Sequence, residues 1–424
     1  MRNEESETLF GVSAERGRWL LVVIGFAVNI CLGSVYAYSV FRNPLQHLFE
    51  TTTFESGLPY MVFQIVLALL MYFGGGLIST IGPGRVGMIG GALVGGGWIL
   101  SGVLPQAVHS IWTLVITYGV IGGAGVGLAY GGPLAVATRW FPDKKGLAVG
   151  LTITGFGGSP FVTANVAQPL IAGRGPLATF LIMGAVFLVV VVALSSRLRF
   201  PPDGWRPVEA RTPTGAAVQP REMPAQAMVR TPAFRGLFLV YTIGCISGLM
   251  AIGISSPVAT DVIGLDAAIA ARLVGVFAIL NGLGRPVFGW LTDRITPRWV
   301  ATLSMVIIFA ASLLMLRAMP GTAWLYAACF ASLWICHGAW LTIAPTSTAS
   351  FFGAKNYPRN YGIVFFAYGV GAILANVISG KSVDMFGSYD RAFIAVAALA
   401  VVGALLSVVM LKPPRGQQAV AGPQ

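Results

Sequence analysis

The sequence predicts an all-α polytopic membrane protein, with twelve transmembrane helices in two pseudo-symmetric six-helix bundles. Three observations carry the prediction. Hydrophobic residues make up 56% of the 424-residue chain and charged residues 10%, against about 25% charge in soluble domains. Apolar runs of about 20 residues, long enough to cross the hydrocarbon of a bilayer, recur throughout. A polar, proline-rich stretch divides these runs into two sets of six. A soluble α/β protein would have shorter apolar runs closed by polar turns.

The amino-terminal bundle, 19–196, has expected spans at 19–41, 58–80, 86–104, 110–138, 146–170 and 177–196. Ahead of it, Met1 to Gly17 is polar and carries Glu4, Glu5, Glu7 and Glu15. That differs from the basic start of a cleaved signal, so the first span is expected to be retained. The connector, 197–235, holds Pro201, Pro202, Pro207, Pro213, Pro220, Pro224 and Pro232, and is expected to be partly disordered. The carboxy-terminal bundle, 236–411, has spans at 236–260, 270–291, 299–317, 322–350, 361–380 and 391–411. Glycines cluster at Gly74-Gly75-Gly76, Gly95-Gly96-Gly97 and from Gly119 to Gly132. Small residues let membrane helices approach closely and bend, which suits a bundle that moves.

The formal charge of +12 does not point to nucleic acid, because no aromatic-interleaved basic patch or base-reading motif accompanies it. Most Arg and Lys lie in short loops on one side: Arg85, Arg139, Lys144, Lys145, Arg294, Arg298, Lys355, Arg359 and the connector. Fewer lie opposite, among them Arg42, Arg174 and Arg272. The positive-inside rule then puts both termini and the connector in the cytoplasm, with the chain in the cell inner membrane. Cys31, Cys245, Cys329 and Cys336 sit in apolar spans without metal-ligand spacing and read as small hydrophobes. No metal, cofactor or catalytic group is expected, since nucleophile triads, metal clusters and phosphate loops are all missing.

An internal repeat links the halves. Trp140-Phe141-Pro142-Asp143-Lys144-Lys145-Gly146 and Tyr357-Pro358-Arg359-Asn360-Tyr361-Gly362 share aromatic-Pro-x-x-x-Gly at an offset of 216 residues. A second pair, Gly76 to Thr80 and Gly289 to Asp293, ends the second helix of each half. Parallel repeats of this kind belong to transporters.

Arg285 stands alone as a charge in the apolar run Leu273 to Trp290, within Asn281-Gly282-Leu283-Gly284-Arg285-Pro286. A cation at that depth faces a bundle interior or a water-filled path, and its natural ligand is an anion. Asn281, one turn earlier on the same face, either orients the substrate or Arg285, or packs between helices. His337 is the histidine well inside a span. It either satisfies a neighbour or meets the substrate and titrates in the useful range. Tyr36, Tyr130 and Tyr368 can each aim a phenol at a carboxylate or pack as core. Asn165, Gln64 and Asn376 read as glue between helices. Asp143, Lys144 and Lys145, with Arg85, Asp293 and Arg294, are expected to form a cytoplasmic loop network that latches the outward-open state and breaks when the halves rock.

The segment Gly289-Trp290-Leu291-Thr292-Asp293-Arg294 resembles the signature loop of the major facilitator superfamily, with a weaker cognate around Thr80 and Arg85. Gly123-Ala124-Gly125-Val126-Gly127, Tyr130-Gly131, Asn281 to Pro286 and Arg359 to Gly362 resemble the oxalate/formate antiporter family, and more distantly the monocarboxylate porters. The resemblance implies that Arg285 is the cavity cation of the eighth helix and that Tyr36 and Tyr130 are cavity tyrosines. It also implies that Tyr368 stands where oxalate carriers have a second cation, a lysine. His337 and Leu341 replace cavity aromatics, and Val35 replaces a glutamine.

A dicarboxylate with one carboxylate unpaired in low dielectric is penalised. A monocarboxylate matches one planar guanidinium. The sequence therefore reads as a secondary carrier of small organic anions, monocarboxylates such as lactate, pyruvate or formate, working as a monomer by exchange or proton symport. Its partners would be the carboxylate, protons under symport, and the lipid bilayer. The alternatives are oxalate/formate-type dicarboxylate antiport and a non-transporting anion receptor.

Overall fold

The computed structural model describes residues 8–141, 145–202, 222–353 and 356–413. Before the connector come α1 (Ala14–Leu32), α2 (Ser39–Phe49), α3 (Thr53–Ile81), α4 (Pro83–Ala107), α5 (Ile111–Leu114), α6 (Gly123–Ala129), α7 (Gly131–Trp140) and α8 (Lys145–Ser195). After it come α9 (Ala225–Met228), α10 (Pro232–Pro257), α11 (Ala267–Arg294), α12 (Pro297–Met315), α13 (Ala323–Phe352), α14 (Tyr357–Phe386) and α15 (Asp390–Met410). A short hairpin, β1 (Thr8–Leu9) and β2 (Val12–Ser13), precedes α1.

Among the described residues, eleven helices are long and apolar enough to cross a membrane. One of them, Ala148–Ser195, spans 48 residues and covers two expected passes. The chain reverses inside it at Gly175, where φ is 80°, a backbone state that glycine adopts without a Cβ clash. The part before Gly175 runs beside α1, with the Ser159 hydroxyl donating to the Ile30 carbonyl. The part after it runs beside α4, where a Cβ on Gly102 would meet Leu181 and one on Gly87 would meet Ser195.

Helix starts follow local chemistry. Thr52 and Glu55 close a capping box at α3, and Thr231 caps α10 ahead of Pro232, satisfying orphan amide N–H groups. This start lies inside the expected connector, because Thr231-Pro232 already forms a complete helix entry. Glycine matters most where α1 gives way to the 3-10 turn Gly33–Ala37. A Cβ at Gly33 would collide with the Phe156 carbonyl, and the close approach sets Tyr36 into the interior.

Helices α3 and α14 pack together, as do α8 and α11, so these pairs form the seam between the segments before and after the connector. On the face away from the connector the seam is tied shut. The Thr53 and Phe54 N–H groups donate to the Asp384 carboxylate at 2.9 and 3.0 Å. Asn43 donates to Asp261 at 2.9 Å, and Asn376 donates to the Phe54 carbonyl at 3.3 Å. Arg42, read from the sequence as a loop cation, is instead buried within α2. It donates to the carbonyls of Thr53 (2.8 Å) and Gly253 (3.1 Å). The helix continues past the expected span end; the Gly253 carbonyl is free because Pro257, four residues on, has no N–H to donate, and the Thr53 carbonyl accepts the guanidinium as a further partner.

On the connector face, Trp140 donates to the Arg199 carbonyl at 2.8 Å and Arg139 lies over the Phe200 ring. Beyond the connector, the Met223 N–H donates to the Phe352 carbonyl and Asn360 donates to the Met223 carbonyl, both at 3.0 Å.

Candidate functional site

Arg285 lies in α11, one turn after Asn281, and is 2% exposed. Its Nη1 donates to the Ile153 carbonyl of α8 at 2.8 Å, and its Nη2 donates to Asn281 Oδ1 at 3.4 Å. Its Nε has no partner. No acid pairs with it among the described residues. Asn281 is held in turn, because its Nδ2 donates to the Trp334 carbonyl at 2.9 Å and so turns Oδ1 toward the guanidinium. A Cβ at Gly157 would lie 2.9 Å from Asn281 Oδ1 and 3.1 Å from Arg285 Nη2, so a glycine makes room for the pair.

Tyr36 is the hub of a second cluster. Its hydroxyl shares hydrogen bonds with His337 Nε2 (3.2 Å) and the Tyr368 hydroxyl (3.0 Å). Its ring meets Phe156 edge-on at 5.2 Å, and Phe156 meets Tyr130 the same way at 5.1 Å. Phe365 stacks on Tyr368 at 4.9 Å. His337 is fully buried, and its Nδ1 has no partner. The Tyr130 hydroxyl lies beside the Arg285 guanidinium, which joins the two clusters.

A cavity of about 120 Å³ opens beneath this hub, lined by Tyr36, Tyr130, Phe156, Leu341, Phe365 and Tyr368 among others. A wider groove of about 530 Å³ runs beside it and is lined by Arg285. The two share Val149, Ile153, Leu341 and Pro345. Burial rises along the cavity: Val149, Pro345 and Tyr361, at its connector end, are partly exposed, whereas Tyr36 and Tyr368 are buried. The space is therefore reached from the connector face.

The structure thus gathers Arg285, Asn281, Tyr36, Tyr130, His337, Tyr368 and Leu341 around one seam. Val35 is buried in the 3-10 turn and lines neither space. Arg85 is exposed at the start of α4, and Arg294 lies over the Trp290 ring at 4.7 Å. Asp143 and Lys144 fall outside the described residues, as do the side chains of Lys145 and Asp293. Phe156, Phe365 and the Ile153 carbonyl were not anticipated. Phe156 had a signal, a lone aromatic within Gly155-Phe156-Gly157-Gly158. A backbone carbonyl has none.

The model of the Major Facilitator Superfamily matches residues 19–333 and 237–424. The chain belongs to this superfamily of membrane transporters. Two relatives bear out the likeness to the oxalate/formate and monocarboxylate branches. The oxalate:formate antiporter of Oxalobacter formigenes is 26% identical over 387 residues, covering 90% of this chain and 88% of that protein. Monocarboxylate transporter 12 of Homo sapiens is 26% identical over 405 residues, covering 89% and 77%. In fold the chain is similar to a bacterial homologue of the human lysosomal transporter Spinster, solved inward-facing and unoccupied. The TM-score is 0.68 at 15% identity, covering 93% of this chain and 97% of that one. Family membership marks the chain as a membrane transporter.

Proposed function

We propose that this superfamily member carries small monocarboxylates across the cell inner membrane by alternating access, with both termini cytoplasmic and the site between two six-helix halves. The observation that carries the reading is Arg285, a buried guanidinium with an unspent Nε and no acid partner among the described residues. Its fork offers a carboxylate two parallel charge-assisted bonds. The named activities of the relatives, oxalate:formate antiport and monocarboxylate transport, agree with an anionic substrate.

The charge count favours a monoanion. Tyr368, at the position of the second cation in oxalate carriers, places a neutral phenol in the cavity wall. A second carboxylate would meet tyrosines and leucine there and would stay uncompensated. Exchange is the favoured mode, because an empty carrier must reorient with a buried cation balanced only by a carbonyl and an amide. Proton symport is the second reading. It is motivated by the His337–Tyr36 bond, which links a titratable ring to the cavity wall.

A binding and counterflow screen of mono- and dicarboxylates in proteoliposomes tests this. Wild type should bind monoanions, bind dianions poorly, and show faster labelled uptake when preloaded. Arg285→Gln should lose affinity by about 100-fold, the worth of two charge-assisted bonds. A strong oxalate preference in wild type would overturn the charge count. Equal binding by the variant would remove Arg285 from the site.

A further inference from the structure

We infer that Gln64 forms the blind end of the substrate site and selects monocarboxylates that carry a second, neutral oxygen, a hydroxyl or an oxo group. This rests on the monocarboxylate reading above and extends it to the other end of the substrate.

Gln64 lies in α3 and is fully buried. It shares a helical stripe with Tyr60, Leu67 and Met71, at spacings that place residues on one face. Leu67 and Met71 line the cavity, so Gln64 stands one turn deeper, on the side away from the connector. Neither its Nε2 nor its Oε1 has a partner in hydrogen-bonding geometry, and neither does the Tyr60 hydroxyl, which lies beside the amide as its polar neighbour. Tyr60 adjoins Tyr36, the hub of the cavity wall.

A buried amide left unpaired costs about 1–3 kcal/mol, and its purpose is not interhelical bonding, because no such bond forms. Of the other polar groups of the wall, Tyr36 and Tyr368 are engaged with each other and with His337 Nε2, which leaves His337 a single free ring nitrogen, Nδ1. The amide alone offers both a free donor and a free acceptor. A donor suits an oxo group, and an acceptor together with a donor suits a hydroxyl. A charged group is disfavoured at this end, since Gln64 and Tyr60 are neutral, and Arg42, the cation within electrostatic reach of Tyr60, is already bonded to the Thr53 and Gly253 carbonyls. The carboxylate goes to Arg285 and the neutral oxygen to Gln64.

Competition binding to purified protein in proteoliposomes tests this with two matched pairs, lactate against propionate and 3-hydroxybutyrate against butyrate. Wild type should prefer the hydroxy acid in at least one pair by about tenfold or more, the effect of leaving a buried polar group unpaired. In Gln64→Leu that ratio should fall to about one, while affinity for propionate and butyrate stays within about threefold of wild type. Retained binding of the plain acids reports an intact fold. Should the leucine variant fail to insert, Gln64→Met, which keeps the length without the amide, takes its place. A ratio near one in wild type, or a preference that survives both variants, overturns the inference while leaving the monocarboxylate reading intact. Binding of none of the four acids by wild type overturns that reading, and this inference with it.

Discussion

The two ends of one seam are built from different materials. Away from the connector, the helices on either side meet through fixed polar ties. Asp384 accepts two N–H bonds at the start of α3, and Arg42 spans the carbonyls of Thr53 and Gly253. Toward the connector, the same seam widens into the cavity and groove, walled by aromatic and aliphatic side chains with Arg285 between them. The ties are strong but few, and most involve backbone groups at helix ends. At mid-depth the Tyr36–His337, Tyr36–Tyr368 and Arg285–Ile153 bonds also cross the seam, and beyond them toward the connector it opens. A protein arranged this way is closed at one end by polar ties and open at the other. That is the geometry of an access state open toward the connector face.

The largest expected effect comes from breaking the closed end. Asp384 receives two amide N–H groups at a helix N-terminus, where an anion is also favoured by the dipole. Asp384→Ala combined with Asn376→Ala removes both of those bonds and the tie to Phe54. At about 1.5 kcal/mol or more for each of the carboxylate bonds, the balance of states should shift by at least roughly 100-fold toward opening on this face. Pulsed spin-label distances between probes at Glu50 and Met385 should lengthen. An unchanged distance distribution would show that the ties follow closure rather than hold it.

Next in size is a change to the open end. Tyr368→Lys places a second cation in the cavity wall, where the proposed likeness to oxalate carriers would put their lysine. Oxalate binding should rise by about tenfold over wild type, and monocarboxylates should weaken, because a buried ammonium then lacks its counter-charge. Isothermal titration with oxalate and lactate measures both. No gain for oxalate would separate charge count from selectivity in this cavity.

Much of this contrast was legible beforehand, and its limits are physical. Spans follow from apolar length, so the helical architecture and Arg285 could be read directly. The reversal at Gly175 left Gly173-Arg174-Gly175-Pro176 as its trace. Arg42 could not be placed, because a cation near a span end looks the same whether it reaches water or folds back onto carbonyls. The bond from Arg285 to the Ile153 carbonyl was equally hidden, since every residue carries a carbonyl. Gln64 was read as glue, the common fate of an amide in a span, and only three-dimensional packing reveals that its amide is unpaired. The latch residues around Asp143 and Lys144 remain expectations, as they fall outside the described residues.

The smallest effect sharpens how tightly the open end is set. Gly157 and Gly158 are neighbours in α8, yet they face different surroundings. A Cβ at Gly157 would press on Asn281 Oδ1 and on the Arg285 guanidinium at 2.9 and 3.1 Å, whereas nothing lies within 4 Å of one at Gly158. Arg285 ends a flexible side chain and can retreat by a few tenths of an ångström, so Gly157→Ala should fold. Its Nη2 bond to Asn281, already 3.4 Å long, would then be lost. Substrate affinity should fall by about tenfold, the scale of one hydrogen bond to a charged group. Gly158→Ala should bind as wild type and gain slightly in thermal stability, since alanine favours the helix by about 1 kcal/mol. Equal affinities in the two variants would mean that the guanidinium has slack, and that its position at the cavity wall is not set by the glycine beneath it.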